Sequence, residues 1–190
     1  MSIDRRKEIL KAAYESFSLF GYKATTIDQV ARLANVGKGT IYTYFKNKEE
    51  LLDEIITNLI NDMEQAASET INPEKPFQEN VHQALYRMLE FRLEHQLTIK
   101  LAQEQRDFGT PVVENVMKKL EKSILLFIQS KIEQAMKRNV IKPCDPEIIS
   151  FMLLKMYVAL IFDWEKDREP LSKEEIANIF DLYIFKGLSQ

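Results

Sequence analysis

The stretch Thr25–Leu52, TTIDQVARLANVGKGTIYTYFKNKEELL, constrains the fold of this chain more than any other. Ile27, Val30, Ala31 and Ala34 recur at helical spacing and predict one short helix with a single apolar face. Thr26 stands before it with Gln29 three residues on, a capping-box pattern. Asn35-Val36-Gly37 is a turn, and a second short helix follows from Lys38 or Gly39 to Phe45, with Ile41 and Phe45 one turn apart. Asn47, with Glu50 at the matching position, caps a longer helix that opens on Leu51, Leu52, Ile55 and Ile56. Two helices this short cannot form a core alone, so they need packing partners.

The rest of the chain supplies helices. Ile9, Leu10, Ala13, Phe17 and Phe20 share one face of a first helix over about 4–20, and Gly21 is a natural left-handed stop. Breaks at Asn72-Pro73, Lys75-Pro76, Gly109-Thr110-Pro111, Asp145-Pro146 and Pro170 divide the remainder into helices over about 77–94, 98–106, 112–139, 145–166 and 172–186. Ser172 and Glu175 form a third capping box. With five Gly and six Pro in 190 residues, and no β-type alternation, the fold class is all-α with about nine helices. The three N-terminal helices form a head over residues 1–47, and residues 48–190 form a larger helical bundle.

Composition excludes several classes. There is no apolar run long enough for a membrane span and no signal peptide, so no membrane partner is expected. The lone Cys144 rules out an internal disulfide and fits a reducing cytoplasm. His82 and His95 are isolated and without nearby cysteines, so neither a metal nor a cofactor is expected. No Ser/His/Asp set, glycine-rich nucleotide loop or paired carboxylates points to an enzyme. The net charge of −3 hides an asymmetry: residues 1–50 hold nine Lys and Arg against six Asp and Glu, whereas the remainder holds seventeen against twenty-three. A basic head on an acidic body is the charge pattern of a protein that meets phosphate at one end.

The second short helix has the chemistry for that contact. Gly37 and Gly39 flank Lys38 and permit close backbone approach, and Lys38 adds a full charge beside the free N–H groups of the first turn. Thr40, Thr43 and Tyr44 project away from Ile41 and Phe45, where methyls, rings and hydroxyls can meet base edges. Tyr42 has the reach for a backbone phosphate, and Thr25 or Thr26 and Lys48 flank it as further clamps. The combination Phe-x-x-x-Gly-Tyr, Thr-Thr, Val-Ala and Gly-Lys-Gly-Thr-Ile-Tyr-x-Tyr-Phe-Lys-x-Lys-Glu-x-Leu resembles the DNA-binding domain of the TetR family of bacterial regulators over about residues 5–55. The resemblance implies a helix-turn-helix in which Thr26, Lys38, Gly39, Thr40, Tyr42, Thr43, Tyr44 and Lys48 face double-stranded operator DNA. Many family members carry Ser or Thr where Gly37 stands and His where Tyr44 stands, so one side-chain cap is missing and base preference does not transfer.

For the body, the resemblance implies an effector pocket among the middle helices and a homodimer built on the last two. Candidate pocket residues are Tyr86, Met88, Leu89, Phe91, Phe108, Met117, Leu120, Ile124, Phe127 and Tyr157, whose Met and aromatic content suits a bulky lipophilic small molecule; plain core packing explains such residues as readily. The segment 145–166 is apolar on nearly every side and must be buried on nearly every side, which suggests Phe151, Met152, Leu160, Trp164, Ile176, Phe180 and Tyr183 at a two-fold interface. The expected function is a ligand-responsive transcriptional regulator, a repressor in the first instance, with an activator or a non-DNA-binding coactivator of the same fold as the alternative.

Overall fold

The computed structural model describes residues 4–186, except for the side chains of residues 92, 93 and 165. Among these residues it contains nine α-helices and no strand. They are α1 (Arg5–Ala24), α2 (Ile27–Leu33), α3 (Lys38–Tyr44), α4 (Lys48–Glu69), α5 (Phe77–Glu94), α6 (Gln96–Phe108), α7 (Pro111–Lys137), α8 (Pro146–Val158) and α9 (Lys173–Phe180). The helices group into two compact units that do not follow chain order. The first holds residues 1–62 and 92–120, and the second 63–91 and 121–190.

The predicted caps form as the local chemistry dictates. Thr26 and Gln29 close a reciprocal capping box on α2, as do Ser172 and Glu175 on α9. The Asp145 carboxylate accepts from the N–H groups of Glu147 and Ile148, with Pro146 in the first turn of α8. Asn47 Oδ1 accepts from Glu50 N at 2.8 Å, but the Glu50 carboxylate reaches one residue further back, to Lys46 N at 2.6 Å.

Two boundaries differ from expectation. Gly21 does have positive φ, but with ψ at 171° it kinks α1 instead of ending it, and a further helical turn runs to Ala24. That backbone region is open essentially to glycine alone. The final two helices also change pitch. Ala159–Asp163 and Asp181–Phe185 are π-helical, so each apolar segment continues in a wider coil, and the first then tightens into a short 3-10 turn over Trp164–Lys166.

In the first unit, Ile9, Ala13 and Phe17 of α1, Val30 of α2, Ile41 of α3, Leu51, Leu52 and Ile56 of α4, and Leu97 and Leu101 of α6 are buried. The turn between α2 and α3 is a Schellman motif: Val36 N donates to Ala31 O and Asn35 N to Arg32 O, with Asn35 at φ 52°. Asn35 supplies the left-handed residue that this turn needs, so no glycine is required there.

In the second unit, Met63, Leu85, Met88, Leu89, Ile128, Ile132, Leu153, Leu154 and Phe180 are buried, as is Tyr157. The Tyr157 ring lies 4.0 Å from that of Phe180, and its oxygen is 2.5 Å from His82 Nδ1. Burial pushes the Tyr157 phenol far up, so it stays protonated. Burial, followed by the Lys173 charge, lowers the His82 pKa and favours the neutral ring, whose tautomer sets which partner donates.

Two outcomes follow. Asn35→Val should destabilise the chain by about 1–2 kcal/mol, because a β-branched residue resists positive φ, whereas Asn35→Gly should be close to neutral; urea unfolding checks both. Because the His82 pKa is depressed on folding, the unfolded chain takes up that proton first. Its contribution to stability is therefore complete above pH 6.5 and declines as pH falls below it. His82→Gln should flatten this part of the profile, and thermal melts between pH 7.5 and 5.5 would read the difference.

Candidate nucleic-acid interface

The α2–turn–α3 segment presents one polar face on an apolar base. Ile41 and Phe45 are fully buried, and the residues between them point outward, as a helical period requires. Tyr42 and Tyr44 are 47% and 43% exposed, unusual for rings this large and unexplained by packing within the chain. Lys38, Gly39 and Thr43 are exposed, and Thr40 is half-buried. Gly37 is the N-cap of α3 and contributes no side-chain cap, as its lack of a hydroxyl implies. The Thr43 hydroxyl donates to Thr40 O at 2.6 Å, leaving its oxygen outward as an acceptor.

The flanking residues divide cleanly. Thr25 is buried, its Oγ1 donating to Gly21 O at 2.8 Å and lying 3.1 Å from Ser16 Oγ. Thr26 is exposed at the entry of α2, so of the two threonines only Thr26 is available to a phosphate.

The cations are already engaged. Lys38 Nζ lies 2.9 Å from Asp28 Oδ2 in an exposed ion pair, whose hydrogen bond raises the lysine pKa. Such a pair is weak and salt-sensitive, so Lys38 can exchange Asp28 for a phosphate at little cost. Lys48 is held more firmly: its Nζ donates to Tyr22 O at 2.7 Å and Thr25 O at 2.8 Å, and stands 4.2 Å from the Tyr22 ring centre. Partial burial lowers its pKa, opposed by the charge of Glu104. An ammonium has three donors, and two are in use. Arg5 and Arg6 pair with Glu8 and Glu54, and Arg6 also packs over the Phe45 ring.

The body residues named from sequence scatter. Met88, Leu89, Phe91, Leu120, Ile124 and Tyr157 are buried; Tyr86, Met117 and Phe127 are half-buried. Phe108 is 65% exposed and lines a cavity of about 290 Å³ in the first unit, with Phe20 and Lys23. A cavity of about 310 Å³ in the second unit is lined by none of the ten. Of the interface candidates, Phe151, Met152, Trp164 and Tyr183 are exposed, Leu160 is half-buried, and Ile176 and Phe180 are interior. Ile148 and Leu182 are exposed as well and were not among the residues named from sequence. Their helical spacing, with Ile148 one turn before Phe151 and Met152, was the available signal. Among the described residues no cluster of His, Cys, Asp and Glu could hold a metal, and no helix is long and apolar enough to cross a membrane.

Comparison with known proteins agrees with this geometry. Residues 9–55 match the model of the bacterial regulatory proteins of the tetR family. Residues 74–188 match that of a tetracyclin repressor-like C-terminal domain. The chain is 61% identical over 189 residues to the uncharacterized HTH-type transcriptional regulator YhgD of Bacillus subtilis, covering 100% of this chain and 99% of that one. Among solved structures it resembles a TetR-family transcriptional regulator from Syntrophomonas wolfei, with a TM-score of 0.73 at 23% identity over 94% of this chain and 92% of that one. It also resembles the regulator FadR of Bacillus subtilis in complex with stearoyl-CoA, with a TM-score of 0.67 at 19% identity over 93% and 94% of the two chains. Helix-turn-helix geometry, both family matches and the full-length relative lead to one conclusion: the chain belongs to the TetR family of transcriptional regulators.

Proposed function

We propose that this regulator is a repressor that binds a palindromic DNA operator as a homodimer and is released by a lipophilic small molecule. The observation that carries the DNA part is the outward face of α3, where Thr40, Thr43 and two half-exposed tyrosines surround a buried Ile41–Phe45 base. A helix is of a width that a major groove admits, and the groups of this one suit base edges and thymine methyls. In this reading Lys38, Gly39, Thr40, Thr43 and Tyr44 lie nearest the bases. Thr26, Tyr42 and Lys48 hold phosphates, Lys48 with the one donor left after its bonds to Tyr22 and Thr25. Labour divides near residue 47, with the head reading DNA and residues 48–190 serving effector binding and dimerisation.

The dimer reading rests on an apolar surface. Ile148, Phe151 and Met152 on α8, with Trp164, Leu182 and Tyr183, are between 37% and 71% exposed. Large apolar side chains left exposed in this number call for a covering partner, and a self-complementary two-fold is the commonest solution. Two reading heads one helical turn apart then read the two halves of a palindrome. Stearoyl-CoA in the FadR structure supports a lipophilic effector. Release is a population shift: the ligand binds tighter to the conformation that does not fit DNA.

Selection of genomic fragments by the purified protein, followed by salt titration, tests the proposal. One enriched palindrome with a steep salt slope is expected, and no enrichment at low salt with a folded dimer would refute it. Tyr42→Phe and Lys48→Ala should weaken binding to every sequence and reduce the salt slope, with thermal melts separating loss of the Lys48 turn contacts from loss of a phosphate contact. Thr40→Ala and Tyr44→Ala should instead change the preferred base, by about 1–3 kcal/mol per lost good contact. Uniform losses from all four would refute the division into clamps and readers. The double variant Phe151→Glu/Tyr183→Glu should sediment as a monomer and bind the operator weakly; a dimer that persists would place the interface elsewhere.

A further inference from the structure

The cavity of about 310 Å³ in the second unit has a composition that names its ligand class. Its walls are Ile71, Pro73, Phe77, Val81, Ala84, Ala135 and Val140, and every charged group lining it is a cation: Lys75, Lys131 and Arg138. Asn80 and Gln134 complete the lining, and no carboxylate does. That is a notable excess in a part of the chain where acids outnumber bases, seventeen Lys and Arg standing against twenty-three Asp and Glu beyond residue 50.

The lip of the cavity is built, not loose. The Asn80 amide donates to Asn72 O at 2.8 Å and Lys75 O at 3.1 Å, and its oxygen accepts from Asn72 N at 2.8 Å, so one side chain fixes the 72–75 turn. Opposite, α7 ends in a second Schellman motif, with Asn139 at φ 55° and Val140 N donating to Ala135 O, which places Val140 at the rim. The cations differ in how far they are committed. Lys75 pairs with Glu79, and Lys131 Nζ stands 4.9 Å from the Phe127 ring centre. The Arg138 side chain is exposed and has no ion pair or hydrogen bond among the described residues. A planar guanidinium with five free donors is the group best matched to a carboxylate or phosphate.

We propose that this cavity binds an amphipathic anion. Its apolar part enters among Phe77, Val81, Ala84 and Val140, and its acid group rests on Arg138 and Lys131 with Lys75 beside them. A ligand with a neutral or cationic head of the same length gains the apolar contacts but not the charge. The volume lies at the small end of ligand sites, which fits a medium-length chain better than a very long one. The inference rests on the reading of this chain as an effector-responsive regulator, and it assigns that effector a charge and a place.

Calorimetry on the full-length protein with decanoate, decanol and decyltrimethylammonium, each below its micelle concentration, tests the site. Decanoate should bind one per chain and at least about tenfold tighter than decanol, the scale of one charge-assisted contact. Arg138→Gln and Lys131→Gln, both outside the packed core, should remove about that factor for decanoate and leave decanol unchanged. Ala84→Trp, which fills the cavity, should abolish binding of both, with circular dichroism reporting whether it folds. Equal affinity for decyltrimethylammonium, indifference to Arg138→Gln and Lys131→Gln, or no binding at all would overturn the proposal. A parallel operator-release assay keeps the two readings apart. Decanoate bound as described but without releasing DNA supports the site and counts against effector control, whereas release by some other ligand that is unaffected by these variants overturns the site alone.

Discussion

The five-residue turn from Gly21 to Thr25 is the constraint on which the DNA-reading geometry depends. Its groups are held from three directions. Both carboxylate oxygens of Glu104, on α6, accept from Lys23 N, at 3.0 and 3.2 Å, and one also accepts from the Thr110 hydroxyl at 3.1 Å. Lys48, at the start of α4, donates to the carbonyls of Tyr22 and Thr25. Thr25 itself bonds back to Gly21 O. Buried backbone groups that leave a helix must find partners, and here the partners come from elements far apart in sequence. Gly21 is required on two counts: its φ of 82°, and a Cβ that would sit 2.6 Å from Glu104 Oε2. Glu104 is 6% exposed, so removing its carboxylate would leave Lys23 N and the Thr110 hydroxyl without this acceptor as well as open a gap. Thr26, the N-cap of α2, follows this turn directly, so the start of the α2–α3 segment is set by contacts well outside that segment.

The other cations of the first unit are held differently. Arg5, Arg6, Lys7 and Lys38 are each answered by an acid within the first unit. These pairs are exposed, worth little individually, and screened by salt. They hold the side chains in place without fixing them, and a phosphate can displace the acid partner. Lys48 is different, because its partners are carbonyls that carry no competing charge. Its ammonium is oriented before any ligand arrives, so it is the better placed of the two lysines to serve as a preorganised clamp.

Much of this was legible in the sequence because it is local. Capping boxes at Thr26 and Ser172, the Asp145-Pro146 start of α8 and the apolar stripe of α4 all depend on residues within a turn or two of each other, and all form as expected. The outward face of α3 was legible for the same reason, since Ile41 and Phe45 fix which side is buried. What depends on long-range partners was not. Nothing near Glu104 in sequence announces Lys23 N, 81 residues away, and nothing near His82 announces Tyr157. The pocket candidates show the same limit. Met and aromatic residues at helical spacing fill a core as readily as they line a cavity, and Met88, Leu89 and Tyr157 are fully enclosed. The π-helical turns after Val158 and Phe180 also leave no mark in a 3.6-residue periodicity, because both segments are apolar on most sides and tolerate a shift of register.

Effector control, on the proposed reading, has a definite energetic requirement. A ligand that lowers operator affinity a hundredfold must favour the non-binding conformation by about 2.7 kcal/mol, since each factor of ten is about 1.4 kcal/mol. That difference has to reach the reading head through elements that can carry it. Only α4, α5 and α7 contribute residues to both compact units. Of these, α4 alone begins with a residue, Lys48, bonded to the turn that precedes α2. A small displacement at its first turn would lengthen two hydrogen bonds to backbone carbonyls and leave Tyr22 O and Thr25 O without their donor. Losing a bond to a charged donor costs about 1.5–3 kcal/mol, so one such loss is on the scale the coupling needs. On the proposed reading, Lys48 both holds phosphate and shapes the turn, so a single movement of it would weaken the contact to DNA and loosen the turn that precedes α2.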